Sequence, residues 1–576
     1  MPAENFPVPS PAPAWGRDLW LLALIFGALF AVELGTAPLA NPDESRYAEV
    51  PREMVATGDW VTPRLDGVVY FEKPPLVYWI GAVFQEVLGA NEWSMRAIPA
   101  VFALGGVLLT YAAGRRLNGR ATGLLSAVVL GTSLMYWVHT RILLLDMAVS
   151  VLMSATLFCF ILGVREQPGA TRRWLFYGLY ASAALATLAK GLIGFLLTGA
   201  VMFFWLLLFN QWRRLRPLYL PTGLLLFSVI AVPWHMLAAL RNPEWAHFYF
   251  IHEHWERFTT TEHGRVLPWW IFFAVVPVGL FPWTGFLWFA LRDRLKGGWA
   301  AARKEDADVW FLVFWAGFIL LFFSKSQSKL LPYILPVFPP LAVLIGAWLA
   351  EVHATGTGWR LRWGLRVFGF MAGILGVALL VATFRPGIIK EDAMRLAVRD
   401  NAVLGAVALF AGGVASAWLA RTRGTRAALL GVLVAIGGLY IALAKAQDEI
   451  ARSTTRELAQ YVAARLGTDD RVYQYHNLFQ DFLFYGKREA GIVSTKSEAG
   501  EWDNTGELEL QIDPAARASG RFIDDDEFGR QWTGPGRIWV VARKDDESVT
   551  KLLARQDFQY HLLAESRWHL LFSNQP

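Results

Sequence analysis

Cysteine is nearly missing from this chain. Its 576 residues include one, Cys159, inside an apolar run. No disulfide can form within the chain, so any part outside a membrane must be held by its core alone. Charge is scarce too: 18% of residues are charged and 55% are hydrophobic. That composition excludes an ordinary soluble domain and fits an α-helical polytopic membrane protein. The net charge of +6 does not indicate nucleic acid, because Lys and Arg sit in short loops between apolar runs and form no single basic face. No small-residue cleavage site follows the first apolar run, which therefore reads as a retained helix. No internal repeat is evident, which counts against a lipid or solute transporter.

What is present is a series of long apolar runs. About thirteen are long enough to span, given that roughly 20 residues cross the hydrocarbon core. They lie near 19–36, 94–114, 121–138, 145–164, 174–189, 192–210, 217–239, 267–291, 308–324, 330–350, 364–384, 402–420 and 427–446. In the close pair at 174–210, Lys190-Gly191 also reads as the bend of one segment. Alternate loops are basic, from Arg115–Arg120 through Arg172-Arg173, Arg213–Arg216, Arg292–Lys304 and Arg360–Arg366 to Arg421–Arg426. The positive-inside rule makes that side cytoplasmic. The N-terminus is then inside, and everything after residue 447 is outside. The expected organisation is a transmembrane domain over 1–447, with a first outer loop near 37–93, and a soluble α/β domain over 448–576. Within the latter, Thr454–Leu466 reads as a helix opened by a capping box. Strands are expected at Arg471–Tyr475 and Arg537–Val541, and a helix at Asp545–Gln556. This region has no phosphate loop, metal-spaced His/Cys set or nucleophile elbow, so it is expected to support rather than catalyse.

The outer loops hold cations that topology does not explain: Arg46, Arg52, Lys73, Arg141, Lys190, Arg257, Lys325 and Lys329. Such charges suit anion binding. The densest stretch is Pro42-Asp43-Glu44-Ser45-Arg46-Tyr47, followed by Tyr70-Phe71-Glu72-Lys73-Pro74-Pro75. Charge beside a bilayer is costly, so this cluster reads as a site. Asp43-Glu44 fits a base or a sugar-holding pair, and equally a helix cap. Pro74-Pro75 would hold Lys73 rigidly against a phosphate, although a snorkelling lysine fits as well. His252-Glu253-His254-Trp255-Glu256-Arg257 offers metal donors and a phosphate clamp, but two His at i,i+2 cannot share a helical face. Ser324-Lys325-Ser326-Gln327-Ser328-Lys329 followed by Tyr333 reads as a phosphate site or a polar turn. Asp146 beside Arg141 reads as an ion pair.

Taken together, these stretches resemble the bacterial aminoarabinose transferases, membrane glycosyltransferases of the GT-C superfamily. The likeness is carried by Pro42–Trp79, Leu188-Ala189-Lys190-Gly191, Glu253-His254 with Arg257-Phe258, and Ser328–Tyr333. It implies transfer of 4-amino-4-deoxy-L-arabinose from undecaprenyl phosphate to a lipid A phosphate, at the periplasmic face of the bacterial inner membrane. It also implies resistance to polymyxin and cationic peptides. Asp43 matches the acidic catalytic position of the first loop, with Glu44 and Asp146 as further catalytic candidates. Arg46, Tyr47, Tyr70, Lys73, Lys190, Arg257, Lys325, Lys329 and Tyr333 are expected around the donor phosphate or sugar. Glu72 and His254 are candidates for a structural zinc ion, with no cofactor required for the chemistry. A related transferase acting on protein hydroxyls would share the first loop.

Overall fold

The computed structural model describes residues 14–250, 267–298, 303–304, 306–355, 358–385, 389, 392–450, 454–495, 508, 516 and 519–576. The apolar runs form helices α1 (Trp15–Ala31), α4 (Glu92–Asn118), α5 (Arg120–Gly131), α6 (Leu134–His139), α7 (Leu145–Arg165), α8 (Ala170–Lys190), α9 (Ile193–Phe209) and α10 (Leu220–Arg241). They continue as α11 (Ile271–Gly279), α12 (Thr284–Arg294), α13 (Ala307–Lys325), α14 (Phe338–Thr355), α15 (Gly358–Phe384), α16 (Asp392–Thr422) and α17 (Thr425–Ile450). The chain is a multi-span membrane protein. Among the described residues, eight helices have the length and composition of a span, or nine if α11 and α12, bent by 104°, count as one. The expected thirteen is not matched, because several runs are divided or short. The run at 121–138 splits into α5 and α6, and α9 has 17 residues. The break at Lys190-Gly191 separates two helices: Gly191 has φ +92, and Gly194 lies against the Ala186 backbone with no room for a Cβ.

The first loop is built between α1 and α4. Helix α2 (Asp43–Thr57) starts after Pro42, with Asp43 and Glu44 in its first turn, where the helix dipole favours negative charge. Gly58, at φ +71, ends it in the left-handed conformation. Strands β1 (Arg64–Leu65) and β2 (Val68–Val69) form a hairpin across Asp66-Gly67, both at positive φ. An Asp-Gly pair is a preferred two-residue hairpin turn. Pro74-Pro75 then precede α3 (Leu76–Leu88).

Beyond α17 lie α18 (Arg456–Ala463), α19 (Gln480–Gly486), α20 (Asp525–Trp532) and α21 (Glu547–Leu553), packed with a six-stranded sheet. Its strands are β3 (Arg471–Tyr475), β4 (Gly491–Val493), β5 (Phe522–Ile523), β6 (Ile538–Arg543), β7 (His561–Glu565) and β8 (His569–Ser573), in the order β5-β4-β3-β6-β8-β7. The first four run parallel, while β8 and β7 are antiparallel additions. The capping box expected at Thr454 does not form. The backbone N–H of Thr455 instead donates to the distant carboxylate of Asp481 at 2.6 Å.

Candidate active site

The first loop is anchored by one buried ion pair. Arg96, four residues into α4, is 1% exposed and grips Glu44 with Nε at 2.9 Å and Nη2 at 2.8 Å. Its remaining N–H groups reach the carbonyls of Leu34, Ala37 and Pro38. Glu44 also accepts from the backbone N–H groups of Ala40 (3.1 Å) and Leu143 (2.9 Å). Both its oxygens are therefore engaged. Glu44 ties α2 and α4 to the segment before α2 and to the segment that leads into α7.

Asp43, one residue earlier, is different. Its side chain is 47% exposed and pairs with Arg46, one turn on. It caps nothing: Pro42 is the capping residue and no side-chain cap bond is made. Arg46 lies 4.9 Å from the centre of the Tyr47 ring. Burial holds the Tyr47 hydroxyl well above its usual value; Arg46 pulls it down, and Asp43, Glu72 and Asp146 push it up. Asp43 and Glu72 both belong to the first loop, and Asp146 lies three residues beyond Leu143, whose N–H donates to Glu44 in the first turn of α2. Tyr70 sits in the same neighbourhood, fully buried, with Arg46, Glu72 and Tyr47 acting on it. Among the described residues its hydroxyl has no hydrogen-bond partner. A buried, unsatisfied hydroxyl costs about 1–3 kcal/mol, so such groups call for an explanation.

The outer-loop cations differ in their surroundings. Lys73 is largely buried, with its ammonium 2.8 Å from the Glu72 carbonyl and 3.9 Å from the Glu72 carboxylate. Lys190, the last residue of α8, pairs with Asp146 at the start of α7 and lies 4.7 Å from the Tyr333 ring. Asp146 does not pair with Arg141, as its position suggested. Arg141 instead donates to the carbonyls of Val32 and Glu33 and to Gln447. Lys329 is 6% exposed and donates to the Ser326 carbonyl, whereas Lys325 is exposed at the end of α13. Arg257 and His254 lie outside the described residues, as does Glu253. Glu72 is next to an ammonium group, and among the described residues no three His, Cys, Asp or Glu side chains gather as metal donors. The expected pair of Glu72 and His254 falls partly on His254, outside the described residues, and no step is routed through a metal.

The C-terminal sheet region reaches this loop at the hairpin turn. Glu53 accepts the backbone N–H of Asp66 at 2.6 Å and of Gly67 at 3.0 Å. Asp66 in turn accepts from Ala490 (2.9 Å) and Gln474 (3.3 Å), and its carbonyl accepts from Arg521 at 2.7 Å. Burial, helped by Glu53 and Glu489, pushes the Asp66 carboxyl from its ordinary 3.8 up to about 8. The folded protein therefore holds a proton that the unfolded chain releases. The stabilisation is complete below about pH 3.8 and is lost as pH rises through about 8. The unfolding midpoint in detergent should fall between pH 5 and pH 8.5, and Asp66→Asn should flatten that slope. Equal slopes in both proteins would contradict the assignment.

Residues 19–252 match the model of the dolichyl-phosphate-mannose-protein mannosyltransferase family. An undecaprenyl phosphate-α-4-amino-4-deoxy-L-arabinose arabinosyl transferase of Pectobacterium carotovorum is 33% identical over 576 residues, covering 96% of this chain and 98% of the relative. The chain belongs to this arabinosyl transferase family. A second member, from Erwinia tasmaniensis, is 28% identical and covers 97% of the chain and 99% of its own length. A family member of known structure is ArnT from Cupriavidus metallidurans, crystallised with undecaprenyl phosphate. It is 28% identical, superposes with a TM-score of 0.83 and covers 98% of both chains; its apo form gives 0.81. Family membership thus extends through the C-terminal sheet region as well as the spans.

Arg96 is a residue that sequence reasoning missed. Its signal was a charge inside the run 94–114, where a cation needs a buried partner.

Proposed function

We propose that this chain transfers 4-amino-4-deoxy-L-arabinose from undecaprenyl phosphate to a phosphate of lipid A. The observation that carries the reading is a set of three acid–base pairs in and beside the first loop: Asp43 with Arg46, Glu72 with Lys73, and Asp146 with Lys190. In the reaction an acceptor phosphate oxygen bonds to the anomeric carbon, and the bond from that carbon to the donor phosphate breaks. The electron pair leaves on undecaprenyl phosphate, so the site must stabilise growing negative charge. Lys73 and Arg46 are assigned to that charge, with Lys190, Lys329 and Tyr333 completing the donor cradle. Lys325 is also assigned to donor binding, as is Arg257, which lies outside the described residues. Tyr47 and Tyr70 face the sugar, and the Tyr70 hydroxyl has a donor and an acceptor site to offer it. Asp146 holds Lys190 in place. Asp43 holds the acceptor or removes its proton. A phosphate monoester loses its second proton near pH 6 and is then already a nucleophile.

The topology follows the basic loops. Six exposed tryptophans, Trp174, Trp212, Trp288, Trp359, Trp363 and Trp418, lie beside these loops, as an interfacial aromatic belt would. The basic side is cytoplasmic and includes the N-terminus, so the first loop and residues 448–576 face the periplasm of a Gram-negative inner membrane. Lipid A that gains an amine there becomes less anionic, which lowers its attraction for polymyxin and other cationic peptides.

Lipid A from cells with and without the gene, compared by mass spectrometry, tests the reading. An aminopentose present only with the gene supports it; unchanged lipid A with newly glycosylated protein would move the acceptor to protein hydroxyls. Lys73→Gln should lower kcat/KM for the donor by about 10–100-fold, the worth of one charge-assisted contact. Steady-state assays over a donor series measure it, and an unchanged kcat/KM would remove Lys73 from the cradle.

A further inference from the structure

The soluble domain makes a second contact with the first loop, and this one lies two residues from Asp43. Asp481, in the first turn of α19, is wholly buried. Its carboxylate accepts from the Asn41 side-chain amide and from the Thr455 backbone N–H at 2.6 Å. The Asn41 side-chain oxygen accepts in return from the Asp481 backbone N–H at 3.1 Å and from the Ser45 hydroxyl. Ser45 belongs to the first turn of α2, between Asp43 and Arg46. The contact is braced one turn further along α19. There Tyr485 accepts the Leu39 backbone N–H at 2.8 Å and donates to Glu92 at 3.0 Å, and Arg456 meets Glu92 at 2.9 Å.

A buried carboxylate is expensive unless several hydrogen bonds compensate it. The partners of Asp481 are neutral groups on two different parts of the chain. One of them, Asn41, lies 440 residues away in sequence. Helix α2 has no side-chain cap of its own. What fixes its leading turn from the soluble side is the pair of reciprocal bonds between Asn41 and Asp481.

We infer that Asp481 is a positioning residue for the transfer reaction: through Asn41 and Ser45 it sets the first turn of α2, and with it the direction of the Asp43 carboxylate. Residues 448–576 are then part of the catalytic apparatus without touching substrate. The inference rests on the proposed role of Asp43. Because it concerns orientation, its loss should appear in kcat, with the donor KM nearly unchanged.

The test uses the full-length protein in detergent. Asn41→Ala strands one oxygen of the buried Asp481 carboxylate, so its unfolding midpoint should fall, and its kinetics are read well below that midpoint, where it is fully folded. It should lower kcat at least about tenfold, as a displaced catalytic group does, with the donor KM within about twofold. Asp481→Asn should do the same, since two amide donors then oppose each other. The exchange Asn41→Asp with Asp481→Asn keeps one amide facing one carboxylate. The carboxylate moved to position 41 would still accept from Ser45 and from the backbone N–H of residue 481. The amide oxygen moved to position 481 would still accept from Thr455. That exchange should recover kcat to within about threefold of the starting enzyme. Unchanged kcat in Asn41→Ala would overturn the inference, and so would a loss confined to KM or a folded exchange variant no better than Asp481→Asn. Asp43→Asn, assayed alongside, separates the two ideas. If it keeps full activity, the role of Asp43 fails; if it is inactive while Asn41→Ala is not, only the positioning role of Asp481 fails.

Discussion

Asp43→Asn should lower the rate of aminoarabinose transfer by about 10²–10⁴-fold, the usual contribution of a positioned acid or base. The substitution is nearly isosteric. It keeps an oxygen for Arg46, and the anchoring contacts of Glu44, Ser45 and Arg96 do not involve the Asp43 side chain. The loss would therefore report chemistry rather than unfolding. Its dependence on pH separates two roles. At pH 6 about half of a phosphate monoester still carries its proton, while at pH 8 nearly all is dianion. If Asp43 removes that proton, the deficit of the variant is larger at pH 6 than at pH 8. If Asp43 orients the acceptor or sugar, the deficit is the same at both. Rates of purified protein at the two pH values decide between them, and an undiminished rate at both would remove Asp43 from the site.

Arg96→Leu should be the most damaging single change to the fold of the loop. It leaves Glu44 buried at 3% exposure without its cation, and it strands the carbonyls of Leu34, Ala37 and Pro38. Breaking a buried ion pair from one side costs about 3–5 kcal/mol. That is a large part of the stability of an average domain, at about 5–15 kcal/mol. The expected outcome is a lower unfolding midpoint in detergent and loss of transfer. Replacing Glu44 and Arg96 together by Gln and Leu should be less harmful than Arg96→Leu alone, because no uncompensated charge remains. Equal midpoints for the single variant and the unmodified protein would show that the pair does not hold the loop.

Much of this architecture was legible in the sequence because spans and loops differ in composition. Every apolar run falls on a helix, and α2 begins where Pro42-Asp43-Glu44 indicated. Pro74-Pro75 stop one element and precede the next, as their fixed φ requires. The number of spans was less legible, since hydropathy does not reveal where a run bends, as α11 and α12 do within 267–291. The site was legible by residue type but not by partner. Asp43 and Glu44 are adjacent and look alike in sequence; on the helix one is half-exposed and pairs with Arg46, and the other is buried against Arg96. Asp146 could pair with Arg141 by proximity, yet the end of α8 brings Lys190 to it. Contacts between the first loop and the C-terminal sheet region join residues more than 400 positions apart, as in Asp66 with Gln474 and Asn41 with Asp481. No local pattern announces such pairs. The hairpin itself did have a signal, Leu65-Asp66-Gly67-Val68, which is short enough to be overlooked among longer runs.

The most direct measurement is transfer by the purified protein in detergent, with polyprenyl-phospho-aminoarabinose and lipid A as the only substrates, both products being followed by mass spectrometry. Lipid A should gain one aminopentose for each polyprenyl phosphate released, and Asp43→Asn should abolish most of both signals. Release of polyprenyl phosphate without modified lipid A, or no turnover of the donor by active-site-intact protein, would contradict the assignment.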